Sequence, residues 1–211
     1  MLSCASELPN RKRDGANPSN GLILDSTGNL YSTTALGGSG AHGTVFELMS
    51  SGSGWTENIL YNFTGGNDGS DLFAGLIFDG SGNLYGATSG AGTGGGGTVF
   101  ELTPSTGSWT LNTFYSFTGG SRCGPLGSLF IQAGSLYGIT NCGGANHLGS
   151  VFKLTPSGGG WTYTSLHDFT GGTDGKIPFG NVVFDADGNI YGTASAGGSH
   201  GVGVVWEITF P

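Results

Sequence analysis

The sequence predicts an all-β protein, a four-bladed β-propeller built from repeats of about 53 residues with four short antiparallel strands in each blade. Two observations predict this fold. An apolar motif ends in a tyrosine at steps of 54, 52 and 54 residues, at positions 31, 85, 137 and 191. Aromatic residues of a second motif keep the same steps, at positions 46, 100, 152 and 206. A fixed period of this length indicates a repeat architecture, and short strands that are apolar on both faces fit sheets packed around an axis.

The chain is interpreted as one domain over residues 1–211. An irregular start at 1–20 precedes repeats at 21–74, 75–126, 127–179 and 180–211. The last repeat ends before the segment that begins with Trp in the other three. Residues 1–9 are therefore predicted to supply the missing fourth strand of the last blade. The alternative is that two chains pair through open edges, because an unpaired strand edge is a site of association.

Within the second repeat, the four predicted strands are Leu76–Asp79, Asn83–Thr88, Thr98–Thr103 and Trp109–Phe117. Short β-rich runs bounded by Gly, Asp, Asn and Ser are typical of strands. In three repeats a tight turn of the pattern Asp-x-x-Gly-Asn joins the first two strands. The third repeat has lost both Asp and Asn from 131–135, which predicts a looser turn there. Charged residues that follow the third-strand aromatic are predicted to form a solvated row: Glu47, Glu101, Lys153 and Glu207.

Composition limits the possible partners. The 211 residues include 45 glycines, only 9% are charged, and the net charge is −8. An acidic chain with six Lys and Arg residues is a poor binder of nucleic acid, which requires a basic face. No apolar run approaches the roughly 20 residues of a membrane-spanning helix. Residues 1–8 do not show the pattern of a secretory signal peptide.

The ordered motifs resemble the Gly-Val-Phe (GloVer) tandem-repeat family of bacterial secreted and surface proteins. The motifs that carry this resemblance are Asp-Gly-Ser-Gly-Asn-Leu-Tyr at 79–85, Gly-Thr-Val-Phe at 97–100 and Phe-Thr-Gly-Gly at 117–120, with their counterparts in the other repeats. The layout of each unit is also similar to that of NHL propeller blades. The resemblance covers residues 14–211. It implies a propeller-like fold and an extracellular or cell-surface location, and it implies no activity.

An NHL-like layout places all the long Gly-rich loops on one face of the disc, which we call the long-loop face. Cys123 and Cys142 both fall on this face, 19 residues apart, and a disulfide between them is predicted, with two reduced thiols as the alternative. The remaining cysteine, Cys4, has no predicted partner.

Two further sets of residues on this face are candidates for a site. His42, His147 and His200 occupy nearly equivalent loop positions and could hold Zn or act in catalysis. The alternative is three solvent-facing histidines with no shared ligand. Asp68, Asp71 and Asp174, with Arg122 at the matching place in the third repeat, could bind Ca²⁺ or a polyhydroxylated ligand. The alternative is that Asp-Gly only forms the turn. No cofactor is firmly implied, and a divalent metal (Ca or Zn) is the candidate.

Three hypotheses for the function follow from these features. The first is a non-catalytic extracellular binding module for a glycan or another small polar ligand, using the long-loop face. The second is a propeller hydrolase or lyase with its histidines on that face. The third is a structural repeat fragment of a surface protein. The expected oligomeric state is a monomer or an edge-paired homodimer.

Overall fold

The computed structural model describes residues 14–52, 54–120 and 122–210, and every regular element in these ranges is a β-strand. Among these residues no helix has the length and apolarity needed to cross a membrane. The strands are numbered β1 to β17 in chain order. A two-residue ladder pairs β1 (Gly15–Ala16) with β4 (Leu36–Gly37). All other strands belong to four antiparallel sheets that follow one another along the chain.

The first three sheets have four strands each, connected in sequence order. Sheet one contains β2 (Ile23–Leu24), β3 (Leu30–Thr34), β5 (Thr44–Ser51) and β6 (Gly54–Asn62). Sheet two contains β7 (Ile77–Phe78), β8 (Leu84–Ala87), β9 (Gly95–Ser105) and β10 (Ser108–Thr118). Sheet three contains β11 (Phe130–Gln132), β12 (Ser135–Thr140), β13 (Ser150–Ser157) and β14 (Gly160–Asp168).

Sheet four has three described strands, β15 (Lys176–Phe184), β16 (Ile190–Ala196) and β17 (Val204–Ile208). The predicted all-β class and the antiparallel pairing are confirmed. Residues 1–9, which the sequence predicts as the closing strand of this sheet, lie outside the described residues together with Cys4. That strand stays a prediction.

The hydrophobic core lies between successive sheets. One cluster joins sheets one and two, for example through Val45 and Leu76. A second joins sheets two and three through Val99 and Leu129, and a third joins sheets three and four through Val151 and Val182. Because sheets two and three each contribute side chains to both neighbouring sheets, their strands are apolar on both faces, as the sequence pattern requires.

The turns between the first two strands confirm the role of the aspartates and correct one other expectation. Asp25 accepts hydrogen bonds from the backbone N–H groups of Thr27 (2.8 Å) and Asn29 (2.9 Å). In sheet three the turn is tighter than expected, since Gln132 pairs directly with Ser135. Ala133 and Gly134 between them both have positive φ, of 48° and 74°, as a two-residue hairpin with a primed turn requires.

The glutamates do not form a solvated row in sheet one. Glu47 is buried, and its carboxylate accepts a hydrogen bond of 2.7 Å from the hydroxyl of Tyr31, which also contacts Asp25 at 3.1 Å. Burial and these two carboxylates raise the pKa of Tyr31. The tyrosine hydroxyl can therefore tie the first hairpin to the third strand, which explains why the motif repeats with the period of the fold.

The fourth strands do not keep one side-chain parity. A register shift in β10 lies between Thr113, which pairs with Phe100, and Tyr115, which pairs with Val99. β6 and β14 have register shifts in the corresponding region. A bulge inserts an extra residue and turns the side chains that follow. In β10 the extra residue is Phe114, and its ring stacks on Trp161 of sheet three at a centroid distance of 4.4 Å.

Candidate functional site

The long loops share one face of the molecule, as the sequence predicts. In each repeat the segment that enters a sheet forms backbone bridges with that sheet's own loop between its second and third strands. Ser70 pairs with Gly90, and Pro125 pairs with Thr140. At the fourth sheet the same contact is part of the ladder between β15 and β16, where Lys176 pairs with Ala196. These bridges fix the two kinds of loop side by side.

The predicted disulfide is present at this contact. Cys123 and Cys142 are bonded, with their Cα atoms 4.5 Å apart. The bond joins the segment that enters sheet three to the loop between β12 and β13. It therefore adds a covalent link to the backbone bridges of the long-loop face.

A cleft of about 390 Å³ opens beside this disulfide. It lies between the outer strands of sheets two and three, and both cysteines contribute to its wall. Tyr115 and Tyr163 line one side, and Ser165, Asp168 and His147 line it as well. A concave site with aromatic walls and a few convergent polar groups is the usual form of a small-molecule site.

The aromatic wall is formed by rings that support one another. The rings of Tyr115 and Tyr163 are stacked, with centroids 4.5 Å apart and planes at 13°. Phe117 packs edge-on against Tyr115 at 4.9 Å. Burial raises the pKa of both tyrosine hydroxyls. Both therefore remain protonated around neutral pH, so each can donate a hydrogen bond as well as accept one.

The polar side of the cleft is positioned by a close approach of the loop backbone. The hydroxyl of Ser165 donates to Asp168 Oδ1 at 2.9 Å. Gly144 lies directly over this carboxylate, since a Cβ added there would be 2.5 Å from the same Oδ1, and its φ is +80°. The backbone N–H of His147 donates to the carbonyl of Gly144 at 3.2 Å. Glycine at 144 thus lets the loop hold the exposed His147 and the carboxylate at the same cleft.

Two of the predicted ligand residues, Asp68 and Asp174, accept hydrogen bonds within their own turns. Asp68 is buried, and it accepts hydrogen bonds from the backbone N–H and hydroxyl of Thr64 at 2.8 and 2.7 Å. Asp174 makes the same two contacts with Thr170, at 2.8 and 2.6 Å, and also contacts His167 Nε2 at 3.0 Å. Burial alone would raise the pKa of Asp174, but these hydrogen bonds lower it. These contacts match the turn-forming interpretation of the two aspartates.

The other two predicted ligand residues lie near each other. Arg122 donates its backbone N–H to the carbonyl of Ser89 at 2.6 Å, and the backbone N–H of Ser89 donates to the carbonyl of Asp71 at 3.0 Å. The guanidinium of Arg122 lies 5.3 Å from the ring centroid of Phe73. A second cavity, of about 320 Å³, opens beside these residues, with Phe179 on its far side. The cavity is lined by Ser19, Phe73 and Leu126, which precede the first strands of sheets one, two and three, and by Phe179 of β15 in sheet four.

The three predicted histidines lie in different loops. The ring of His42 packs over Gly65, where an added Cβ would lie 2.5 Å from its Nε2. His147 lines the cleft, and His200 is exposed in the loop before β17. Within 14–52, 54–120 and 122–210, no group of three His, Cys, Asp or Glu side chains is placed to hold a metal ion. The structure therefore brings one of the three histidines to the cleft and does not assemble the trio.

Four residues of the cleft were not among the predicted site residues: Tyr115, Tyr163, Ser165 and Asp168. The bulges in β10 and β14 explain part of this, because a simple alternation assigns Tyr115 to the same face as Trp109. The sequence signal that was available for these residues was their spacing within the repeat. Tyr163 lies near the middle of β14, and Asp168 is its last residue, next to the long-loop face.

Comparisons with known proteins give a family and distant structural relatives. A model of the Gloeobacter/Verrucomicrobia repeat matches residues 17–211. No curated protein sequence matches the chain. The chain is similar to a bifunctional GH43-CE protein of Bacteroides eggerthii, with a TM-score of 0.44 and 15% identity over 90% of this chain and 24% of that one. It is also similar to an α-L-arabinofuranosidase from Clostridium thermocellum, with a TM-score of 0.47 and 12% identity over 87% of this chain and 62% of that one. The chain thus spans about a quarter of the first protein and about three fifths of the second.

Proposed function

The chain belongs to the Gloeobacter/Verrucomicrobia repeat family, and from this premise we propose that its four sheets are blades of a β-propeller-type module that binds a glycan outside the cell. The module binds on its long-loop face and does not catalyse a reaction. A fold of this kind serves many functions, so the argument rests on the site and not on the architecture.

The cleft between sheets two and three carries the proposal. It offers aromatic surface from Tyr115 and Tyr163 beside hydrogen-bonding groups from Ser165, Asp168 and His147. A sugar ring needs this combination, because it presents apolar C–H faces and a rim of hydroxyl groups. Tyrosine supplies both an apolar face and a polar tip, while a carboxylate accepts from two neighbouring hydroxyls. The net charge of −8 favours a neutral ligand over a polyanion.

The disulfide supports the extracellular location. Bonds of this type persist in oxidising compartments and are rare in the bacterial cytosol. Cys123 and Cys142 also form part of the cleft wall. A ligand bound at this place therefore touches a surface that depends on an oxidising environment.

Calorimetric titration tests the proposal directly. The protein is titrated with soluble polysaccharides and oligosaccharides, and we expect saturable heats with at least one class of neutral glycan. Asp168→Asn and His147→Ala are each expected to weaken that binding by about tenfold or more, since a lost hydrogen bond to a charged group costs about 1.5–3 kcal/mol. His42→Ala is the matched control, because it changes a nearly equivalent loop in sheet one, away from the cleft. The proposal would be contradicted if no glycan of the panel gave a heat of binding, or if His42→Ala weakened binding as much as the cleft variants. Either result would favour a purely structural repeat.

One observation favours a second candidate function, a glycan hydrolase or lyase. His147 and Asp168 line the same cleft, and an imidazole near a carboxylate is a common acid–base arrangement. Heat that continues after each injection, together with shortened oligosaccharides in the cell, would indicate turnover. Repeating the titration with added Ca²⁺ or Zn²⁺ and with a chelator would show whether either activity requires a metal.

A further inference from the structure

The free side of sheet four carries the apolar residues that build every internal interface. A valine recurs in the third strand of each sheet, at 45, 99, 151 and 205. The first three are completely buried against the following sheet, whereas Val205 is 79% exposed. Val183 of β15 occupies the position that Ile77 has in sheet two, and it is also exposed. Among the described residues, none therefore covers the surface of sheet four that would face a following sheet.

Sheet one, at the other end of the sheet order, exposes the complementary apolar residues. The first strands of sheets two, three and four turn Leu76, Leu129 and Val182 toward the preceding sheet, and each is at most 3% exposed. Leu22 holds the same position in sheet one and is 54% exposed. Leu24, which corresponds to Phe78, is 62% exposed. The surface of sheet one that would face a preceding sheet is likewise not covered by any residue of 14–52, 54–120 or 122–210.

The internal interfaces indicate how these two surfaces fit. Across the first interface the ring of Tyr31 meets the edge of Phe78 at 5.1 Å, and across the third Tyr137 meets Phe184 at 4.9 Å. In the terminal sheets the corresponding residues are Tyr191 and Leu24. Each molecule thus carries both halves of the interface that recurs between its own sheets, at opposite ends. Within the described residues, no core cluster connects sheet four to sheet one.

We propose that a second copy of this chain covers these surfaces, with sheet four of one molecule packing on sheet one of the next. The contact repeats the interface already present between sheets, so Val183 and Val205 of one copy meet Leu22 and Leu24 of the other. An interface between two different surfaces is heterologous, and it closes into a ring or continues as a filament. Exposed apolar surface of this kind marks an association site.

Sedimentation velocity over a range of concentrations tests this inference. The wild-type chain is expected to form dimers or larger species as its concentration rises. Val205→Asp blocks one surface and Leu24→Asp blocks the other, so each variant alone is expected to remain a monomer. A mixture of the two variants is expected to form a dimer that cannot grow, because one intact surface remains on each. Thr110→Asp, on an exposed position of β10, adds the same charge away from both ends and is expected to associate like the wild type.

Two outcomes would overturn the proposal. If the wild-type chain stays monomeric at every concentration, its end surfaces do not bind a second copy. The mixture of variants could also stay monomeric while one variant alone still dimerises. That result would mean that sheet four pairs with sheet four, or sheet one with sheet one, and not sheet four with sheet one. Circular dichroism of each variant, with its thermal midpoint, confirms that a loss of association does not reflect unfolding, and the high exposure of both sites makes folded variants the expected result.

Discussion

The ammonium group of Lys153 lies 5.4 Å from the ring centroid of Tyr137, where the other three sheets place a glutamate beside the tyrosine hydroxyl. In those sheets the hydroxyl donates to the glutamate at 2.7 to 2.8 Å. Sheet three has also exchanged the Asp and Asn of its first turn for Gln132 and Ser135. The three changes act together. Because the carboxylates are absent, a cation can lie over the face of the tyrosine ring. The quadrupole of the ring attracts this cation.

The two versions of this contact should differ in strength. Glu101→Ala removes the acceptor that lies 2.8 Å from the hydroxyl of Tyr85, and we expect the free energy of unfolding to fall by about 1.5 kcal/mol. Lys153→Ala removes the cation from Tyr137 and should cost only about 0.5–1 kcal/mol. Urea unfolding measures both. The control is Glu101→Ala in a Tyr85→Phe background, where most of its cost should vanish; an unchanged cost would mean that the hydrogen bond is not its source.

The disulfide should contribute strongly to stability. Replacing Cys123 and Cys142 by serine opens a loop with a sequence separation of 19, and the entropy regained by the unfolded chain is worth about 3 kcal/mol. We expect the thermal midpoint to fall by about 6–12 °C. A reductant should lower the midpoint of the wild type similarly and leave the double variant unchanged. A wild type that keeps its midpoint while its thiols become titratable would contradict this account.

Much of the fold was predictable because the repeat imposes the same physical demand four times. The steps of 54, 52 and 54 located the tyrosines, and the Asp-to-Asn turn of Asp25 and Asn29 follows from local hydrogen bonding alone. The disulfide followed from placing two loops on one face. Each of these features depends on residues close in sequence or on strict periodicity. A single sequence is sufficient for such features.

The site was harder to predict because it depends on contacts between repeats. Tyr115 and Tyr163 meet because sheets two and three pack side by side and the bulge at Phe114 turns Tyr115 toward sheet three. Glu47 was expected in solvent because strand alternation points it away from the core, but the hydroxyl of Tyr31 reaches it from the neighbouring strand. The charge of Glu47 and its place in the strand alternation do not predict this hydrogen bond. It depends on the geometry of the two side chains.

The glycine after the repeated tyrosine should be intolerant of a side chain. A Cβ on Gly138 would lie 2.7 Å from Cζ of Phe152 and 3.1 Å from a methyl group of Leu129. We expect Gly138→Ala to lower the free energy of unfolding by about 1–3 kcal/mol, because the packed ring has to move. Sheet one carries Ser32 at this position, so Ser32→Ala is the matched control, with an expected cost of about 1 kcal/mol or less. Guanidinium unfolding compares them. A Gly138→Ala variant as stable as the wild type would mean that the ring shifts freely.

Acid should destabilise the protein through its turn aspartates. Burial alone would raise the pKa of Asp25, but hydrogen bonds from Asn29 and Thr27 outweigh burial and lower it to about 2. Hydrogen bonds also lower the pKa of Asp79 and Asp185, against the opposing effect of burial. A carboxyl whose pKa is lower in the folded state stabilises the fold above its unfolded pKa of about 3.9, and this stabilisation disappears as the pH falls toward the folded value.

The expected result is a thermal midpoint that falls between about pH 4 and pH 2, with a specific signature in one variant. Asp25→Asn should melt below the wild type at neutral pH, and the gap between the two should narrow as the pH falls toward about 2, where the wild-type carboxyl is protonated. Gln132→Asn changes the corresponding turn position of sheet three without a titrating group. The difference between its thermal midpoint and that of the wild type should therefore stay constant across the same pH range. A gap for Asp25→Asn that is equally constant would show that its carboxylate does not stabilise the turn through its charge.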